Sequence, residues 1–187
     1  MSARAEQPVF YYDLADPACY LAAERIATAP AVLPEWEPVL ARSLGIVPAA
    51  VDRPAVEAQA ASLGIQPVRW PARLPSDSET AMLAATFAKR GGRAVAFSLA
   101  AFRQAFAAGR DLGDLDTVLL AGAACEIHPT AMLKGIQLRG VRAALEQACA
   151  RARSVGVGAL PAVALGADLV QGAGVIERAA SALGLGV

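Results

Sequence analysis

Asp16-Pro17-Ala18-Cys19 has the spacing of a Cys-x-x-Cys redox pair with an aspartate in the place of the first thiol. Such a pair works because a helix N-terminus favours the thiolate of its first cysteine, while the second resolves the mixed disulfide. With Asp16 at the first position, two-thiol cycling within the motif is lost. Two readings of Asp16 are open. It is an N-cap whose side chain closes the helix end, or it is a general base or polar contact to a substrate. Ionised, it accepts hydrogen bonds and donates none. Cys19 is either a small buried apolar residue or a lone thiol for mixed disulfides. Asp13, just before the turn, either tunes ionisation there or caps a strand end.

The remaining reactive residues are sparse. Cys125 and Cys149 fall in other helical segments, and His128 is the only histidine. No pair has metal-ligand spacing and a zinc site needs about four ligands, so no metal is expected. His128, before Pro129, reads as a helix-end or surface residue. Trp36 and Trp70 are candidate core anchors or pocket walls; Trp70, in an irregular stretch, is the better wall. With 17 basic and 17 acidic residues and no dense run of either sign, the chain is expected to bind neither nucleic acid nor a membrane surface. An odd, scattered set of three cysteines does not make a secreted disulfide framework. The first residues lack the apolar core of a signal peptide. Both features point to the cytoplasm.

The elements that must position these residues can be read from the pattern. Residues 8–14 form a short, aromatic, buried strand. Residues 17–29 form a helix, with Pro17 at its favoured first position and a stop before Pro30. Residues 35–41 are a second strand, and Pro38 within it points to a sheet edge or a late strand start. From 43 to 135 the pattern is helical: 52–63, then an irregular Pro67–Pro75 stretch, then 76/77–90, 94–107, 114–124 and 129–134. A helix over 137–154 follows. Strands at 162–165 and 169–171 around Gly166-Ala167-Asp168 make a β-hairpin, and a helix over 174–184 ends the chain. The expected architecture is α/β: a mixed sheet from residues 1–42 and 136–187, with an inserted all-helical subdomain at 43–135.

Four segments, in order, carry a resemblance. Tyr11-Tyr12-Asp13-Leu14-Ala15-Asp16-Pro17-Ala18-Cys19-Tyr20-Leu21 resembles the first strand and active-site turn of the DsbA-like thioredoxin superfamily. The nearest branch is that of the 2-hydroxychromene-2-carboxylate isomerases and kappa-class glutathione transferases, where a serine stands at Asp16. Leu74-Pro75-Ser76-Asp77-Ser78 is similar to the family's Phe-Pro-x-Asn-Ser. Gly156-Val157-Gly158-Ala159-Leu160-Pro161 resembles the loop whose proline is cis in the family. Gln171-Gly172 stands where the family has Gly-x-Asp-Arg.

The resemblance implies a DsbA-type thioredoxin fold and a homodimer. It also implies a pocket between the Asp16 turn, the Pro161 loop and the helical block. Leu160 and Pro161 would hold the backbone of glutathione or another low-molecular-weight thiol, with Asp77, Gly172 and Ala173 flanking it. Asp16, Cys19 and Asp13 would be the catalytic candidates, and Tyr12, Pro17 and Trp70 the pocket walls for a small-molecule substrate. The implied activity is that of an isomerase or glutathione transferase with a non-redox turn. A DsbA-type oxidoreductase using Cys19 alone, or a non-catalytic ligand-binding relative, are the alternatives. Three departures bear on the thiol. Gln171-Gly172-Ala173-Gly174-Val175 has no carboxylate or arginine, Asp77 replaces an asparagine, and Ala81-Met82-Leu83 offers no arginine.

Overall fold

A computed structural model describes residues 7–28, 33–47 and 50–184. The first six residues, on which the signal-peptide reading rests, lie outside them. So do residue 29 and Pro30, where the first helix was expected to stop.

The chain folds as β1 (Val9–Tyr12), α1 (Pro17–Thr28), β2 (Glu35–Pro38) and a 3-10 turn (Ala41–Leu44). Five helices follow: α2 (Arg53–Ser62), α3 (Glu79–Arg90), α4 (Ala94–Phe106), α5 (Leu115–Ala124) and α6 (Pro129–Ile136). The chain closes with α7 (Arg139–Ser154), β3 (Ala162–Leu165), β4 (Asp168–Gln171) and α8 (Val175–Ala182). The strands make one mixed sheet in the order β2-β1-β3-β4. β1 runs parallel to β2, with Phe10 opposite Trp36, and antiparallel to β3, with Phe10 opposite Val163.

β1 is central because its side chains have nowhere polar to go: Phe10, Tyr11 and Tyr12 are all buried. On one face Phe10 and Tyr12 stack at 5.3 Å between ring centroids, and Trp36 meets both edge-on. Pro38 lacks an amide proton and is tolerated because β2 is an edge. At the other edge, Gly166, with φ of +66°, opens the two-residue turn joining β3 to β4. Strand β2 is shorter than the pattern predicts. Val39 still donates to the Tyr12 carbonyl at 3.0 Å, but the Asp13 carboxylate then captures the Ala41 amide at 2.9 Å and turns the chain into the 3-10 segment.

The helical block is not a separate body of core. A single continuous apolar cluster runs from the sheet through α3, α4 and α7. Alanines 81, 84, 85 and 88, all buried, keep α3 slim enough to contact α4, α6, α7 and β2. Close approach also explains Gly135: a β-carbon there would lie 2.5 Å from the Phe87 ring. α3 starts a few residues later than its sequence pattern, at Glu79 rather than 76/77. α8 starts a residue later than expected because Gly174 takes a left-handed conformation before it, and it ends at Ala182, two residues before the left-handed Gly184. Among the described residues no helix is long and apolar enough to cross a membrane.

Candidate functional site

The turn after β1 is held by its own carboxylates. Asp16 Oδ1 accepts from the Ala18 amide at 2.7 Å and from the Cys19 amide at 3.3 Å. These are orphan donors of the first helical turn, so Asp16 is the N-cap of α1. Its other oxygen takes no hydrogen bond among the described residues. No described buried side-chain oxygen lacks a partner, so that oxygen keeps contact with solvent. Burial raises the Asp16 pKa to about 6; its two backbone hydrogen bonds oppose the rise and the nearby Asp13 charge adds to it.

Asp13 is buried and fully engaged. Oδ1 accepts from Ala15 at 3.0 Å and Oδ2 from Ala41 at 2.9 Å. It therefore ties the end of β1 to the turn after β2. Burial pushes its pKa up against these bonds, against Ser78 and against the Arg42 charge. Asp13 thus holds the turn, and its charge also raises the pKa values of Asp16 and Cys19, so both readings describe what it does here.

Cys19 has no exposed surface. Burial pushes its thiol well above the ordinary range, and the Asp16 and Asp13 charges push it further. A thiolate, the reactive form, is doubly disfavoured there. Cys125 and Cys149 are also buried and unpaired, and burial raises both thiols.

Across from this turn, the Leu160–Pro161 peptide is cis. The loop is pinned by Gln171, whose Oε1 accepts from the Gly158 amide at 2.7 Å and the Ala159 amide at 2.9 Å. Gly172, at a φ of +82°, donates to the Pro161 carbonyl at 2.7 Å. The Leu160 amide and carbonyl take no hydrogen bond among the described residues. They are the free main-chain pair of this loop.

A shallow groove, mostly open to solvent, lies beside α1. Ala18, Leu21 and Ala22 of α1, Pro161, and Gln59 and Leu63 from the α2 end line it together with residues 173–177. The structure thus brings together the first turn of α1, the cis-proline loop and the helical block.

Several expected site residues lie elsewhere. Tyr12 is no pocket wall: it is fully buried, its hydroxyl is 2.6 Å from Ser98 Oγ, and burial raises its pKa far above the ordinary value. Even numbering along β1 puts it on the core face with Phe10. Trp70 is no wall of the groove either. Its Nε1 donates to Glu57 at 2.6 Å, Arg53 sits over its ring at 5.2 Å, and Phe106 meets it edge-on. It hangs α2 from α4. Pro17 is buried as the first residue of α1, and neither it nor Asp13, Asp16, Cys19, Leu160 or Gly172 is among the groove-lining residues, though Ala18 and Pro161 beside them are. Asp77 also stays outside the groove; its Oδ1 caps the Glu79 amide at 3.2 Å and pairs with Arg42 at 3.4 Å. Ala173 does line the groove. Trp36 is a core anchor, and His128 caps α6 through Nδ1, accepting from Thr130 at 3.2 Å.

The charged residues of the groove escaped the sequence pattern. Arg25 and Glu177 both line it, paired at 3.0 Å. Glu177-Arg178 stands one turn into α8, past the 171–175 loop where an acidic residue was sought. An acid and a base side by side in the first turn of a terminal helix was the available signal.

A family model described as DSBA-like thioredoxin domain matches residues 9–184. Among curated proteins no match was found. A solved 2-hydroxychromene-2-carboxylate isomerase is similar over 96% of this chain and 95% of its own, with a TM-score of 0.83 and 17% identity. A probable DsbA oxidoreductase from Streptomyces coelicolor is similar over 95% and 88%, with a TM-score of 0.73 and 20% identity. The cytosolic disulfide reductase DsbM from Pseudomonas aeruginosa, solved also with GSH, is similar over 88% and 87%, with a TM-score of 0.64 and 18% identity. At these identities the likeness is one of fold, and chemistry has to be argued from the site.

Proposed function

Because the chain belongs to the DSBA-like thioredoxin domain family, we propose that it is a non-redox member of it. On this reading it is an isomerase or transferase of the 2-hydroxychromene-2-carboxylate isomerase or kappa glutathione transferase type. It acts on a small molecule in the groove beside Pro161, with glutathione or a similar low-molecular-weight thiol as co-ligand. The observation that carries the reading is the α1 turn. A carboxylate occupies the place where dithiol chemistry needs its exposed thiol, and the thiol that remains, Cys19, is sealed and hard to ionise.

What such a site can do follows from its groups. The unpaired Leu160 amide and carbonyl suit the main chain of an extended, peptide-like ligand. Asp16, with one oxygen open and a pKa raised to about 6, accepts a proton at neutral pH and returns it to a departing atom. A group titrating near the working pH is the efficient one for such relays. Moving a proton within a substrate needs no electron acceptor, so the loss of the dithiol costs this chemistry nothing. Three buried, reduced cysteines fit a cytoplasmic setting, and a homodimer is the assembly the resemblance implies.

Isothermal titration with glutathione tests the co-ligand, and turnover of 2-hydroxychromene-2-carboxylate tests the reaction. Saturable heat at millimolar thiol is the expected result. No heat and no thermal shift in that range would sink the thiol-dependent reading. Alkylation of the native protein separates the redox alternative: Cys19 should resist iodoacetamide until the chain is unfolded.

A further inference from the structure

Arg142, Leu145, Glu146 and Cys149 share one face of α7, at the i, i+3, i+4, i+7 spacing of a helix, and line a cavity of about 150 Å³ that is partly open to solvent. Leu40, the 3-10 turn after it, and Glu79 at the start of α3 complete the lining. The cavity shares no lining residue with the groove beside α1. Leu40, Leu145 and Cys149 are buried and make its floor. Cys149 Sγ accepts from the Leu40 amide at 3.3 Å, so the thiol is engaged by the protein and serves the cavity as an apolar surface. A cavity of roughly this size takes a group as large as a benzene ring.

The rim is charged, and its charges are unequally spent. Arg142 Nη1 donates to Glu79 Oε1 at 2.7 Å, and Arg42 Nη2 donates to Glu79 Oε2. These bonds hold the Glu79 carboxyl below the ordinary carboxylate range, so it is ionised and occupied. Arg142 Nε and Nη2 and both Glu146 oxygens have no partner among the described residues. Arg142 and Glu146 stand one turn apart, yet they do not pair. An arginine before a glutamate is the weaker order for an i, i+4 pair, and Glu79 has drawn Arg142 the other way. One open cation and one open anion therefore sit side by side above an apolar floor.

We propose that this cavity is a binding site for a free α-amino acid with an aliphatic side chain. Glu146 takes the ammonium, the outer N–H groups of Arg142 take the carboxylate, and Leu40, Leu145 and Cys149 receive the side chain. A guest without one of the charges leaves a rim group open, and a guest without the side chain leaves the floor uncovered. The proposal does not depend on any reading of the groove beside α1.

The test titrates three probes calorimetrically into the whole protein: L-leucine, 3-methylbutan-1-amine, which is leucine without its carboxylate, and 4-methylpentanoate, which is leucine without its amine. The native chain should bind leucine about tenfold tighter than either analogue, the order of one hydrogen bond to a charged group. E146Q should weaken leucine and leave 4-methylpentanoate unchanged. R142Q should weaken leucine and leave the amine unchanged. A loss of folding would weaken every probe alike, and circular dichroism and melting check the variants directly. The comparison of the three probes on the native chain stands whatever the variants do. No saturable heat with leucine at millimolar concentration, leucine no tighter than either analogue, or leucine binding untouched by both R142Q and E146Q would each overturn the proposal.

Discussion

The α1 turn and the cis-proline loop beside the groove spend their polar groups in opposite ways. On the α1 side, Asp13 uses both oxygens and Asp16 one, all on main-chain amides of the protein itself. On the Pro161 side, Gln171 and Gly172 pin the loop from behind, which leaves the Leu160 main chain unspent. Polar groups satisfied internally hold shape; those left open at a groove meet ligands. The contrast teaches that the α1 turn spends its carboxylates largely on its own main chain, while the cis-proline loop keeps an unpaired amide and carbonyl at Leu160.

Substitutions can break that contrast, and the largest effect belongs to Asp13. Asp13→Ala strands the Ala15 and Ala41 amides in a partly buried place and should cost about 2 kcal/mol, at the low end of about 1–3 per unsatisfied group. Urea unfolding measures it. A loss under about 1 kcal/mol would mean that the turn is not held by this carboxylate.

Asp16 sharpens the comparison through pH. Its folded pKa of about 6 lies above the ordinary carboxylate value of about 3.9. Between those values the folded state holds the proton more often than the unfolded state does. Stability should therefore fall as pH rises from about 4 to about 6, and this contribution should level off above that. The raised Asp13 pKa works in the same direction. Asp16→Asn keeps an oxygen for the Ala18 amide and removes the charge, so at pH 7.5 it should match or exceed the native chain and flatten the slope. Asp16→Ala also loses the cap, at about 1 kcal/mol. Unfolding midpoints across the pH range decide it, and an unchanged slope in Asp16→Asn would refute the assignment.

The smallest effect is expected at the cis-proline loop. Gln171→Ala frees the Gly158 and Ala159 amides, which are exposed enough for water to replace the lost acceptor. A cost of about 1 kcal/mol or less is expected, with ligand binding weakened more than stability. Equal loss in both would make Gln171 a structural residue only.

The fold could be read in the sequence because its signals are local: the apolar aromatic run of β1, Pro17 after Asp16, the glycine turn between β3 and β4. Several parts of the site could not. That Tyr12 faces inward depends on which sheet face α4 covers, and Trp70 found its partners Glu57 and Phe106 in elements far apart along the chain. Asp77 looked like an unfavourable charge near the ligand until Arg42, brought in by the 3-10 turn, gave it a partner. Arg25 and Glu177 are separated by most of the chain, and only the packing of α8 on α1 joins them.

The sealing of Cys19, Cys125 and Cys149 has a consequence for survival under oxidative attack. A thiol at a helix mouth climbs from sulfenic to sulfonic acid when peroxide reaches it, and the last steps are irreversible. A carboxylate has no such ladder. With Asp16 at the mouth and every cysteine buried, peroxide finds no cysteine to inactivate at this turn. A dithiol turn of the same shape offers peroxide an exposed thiol at that place.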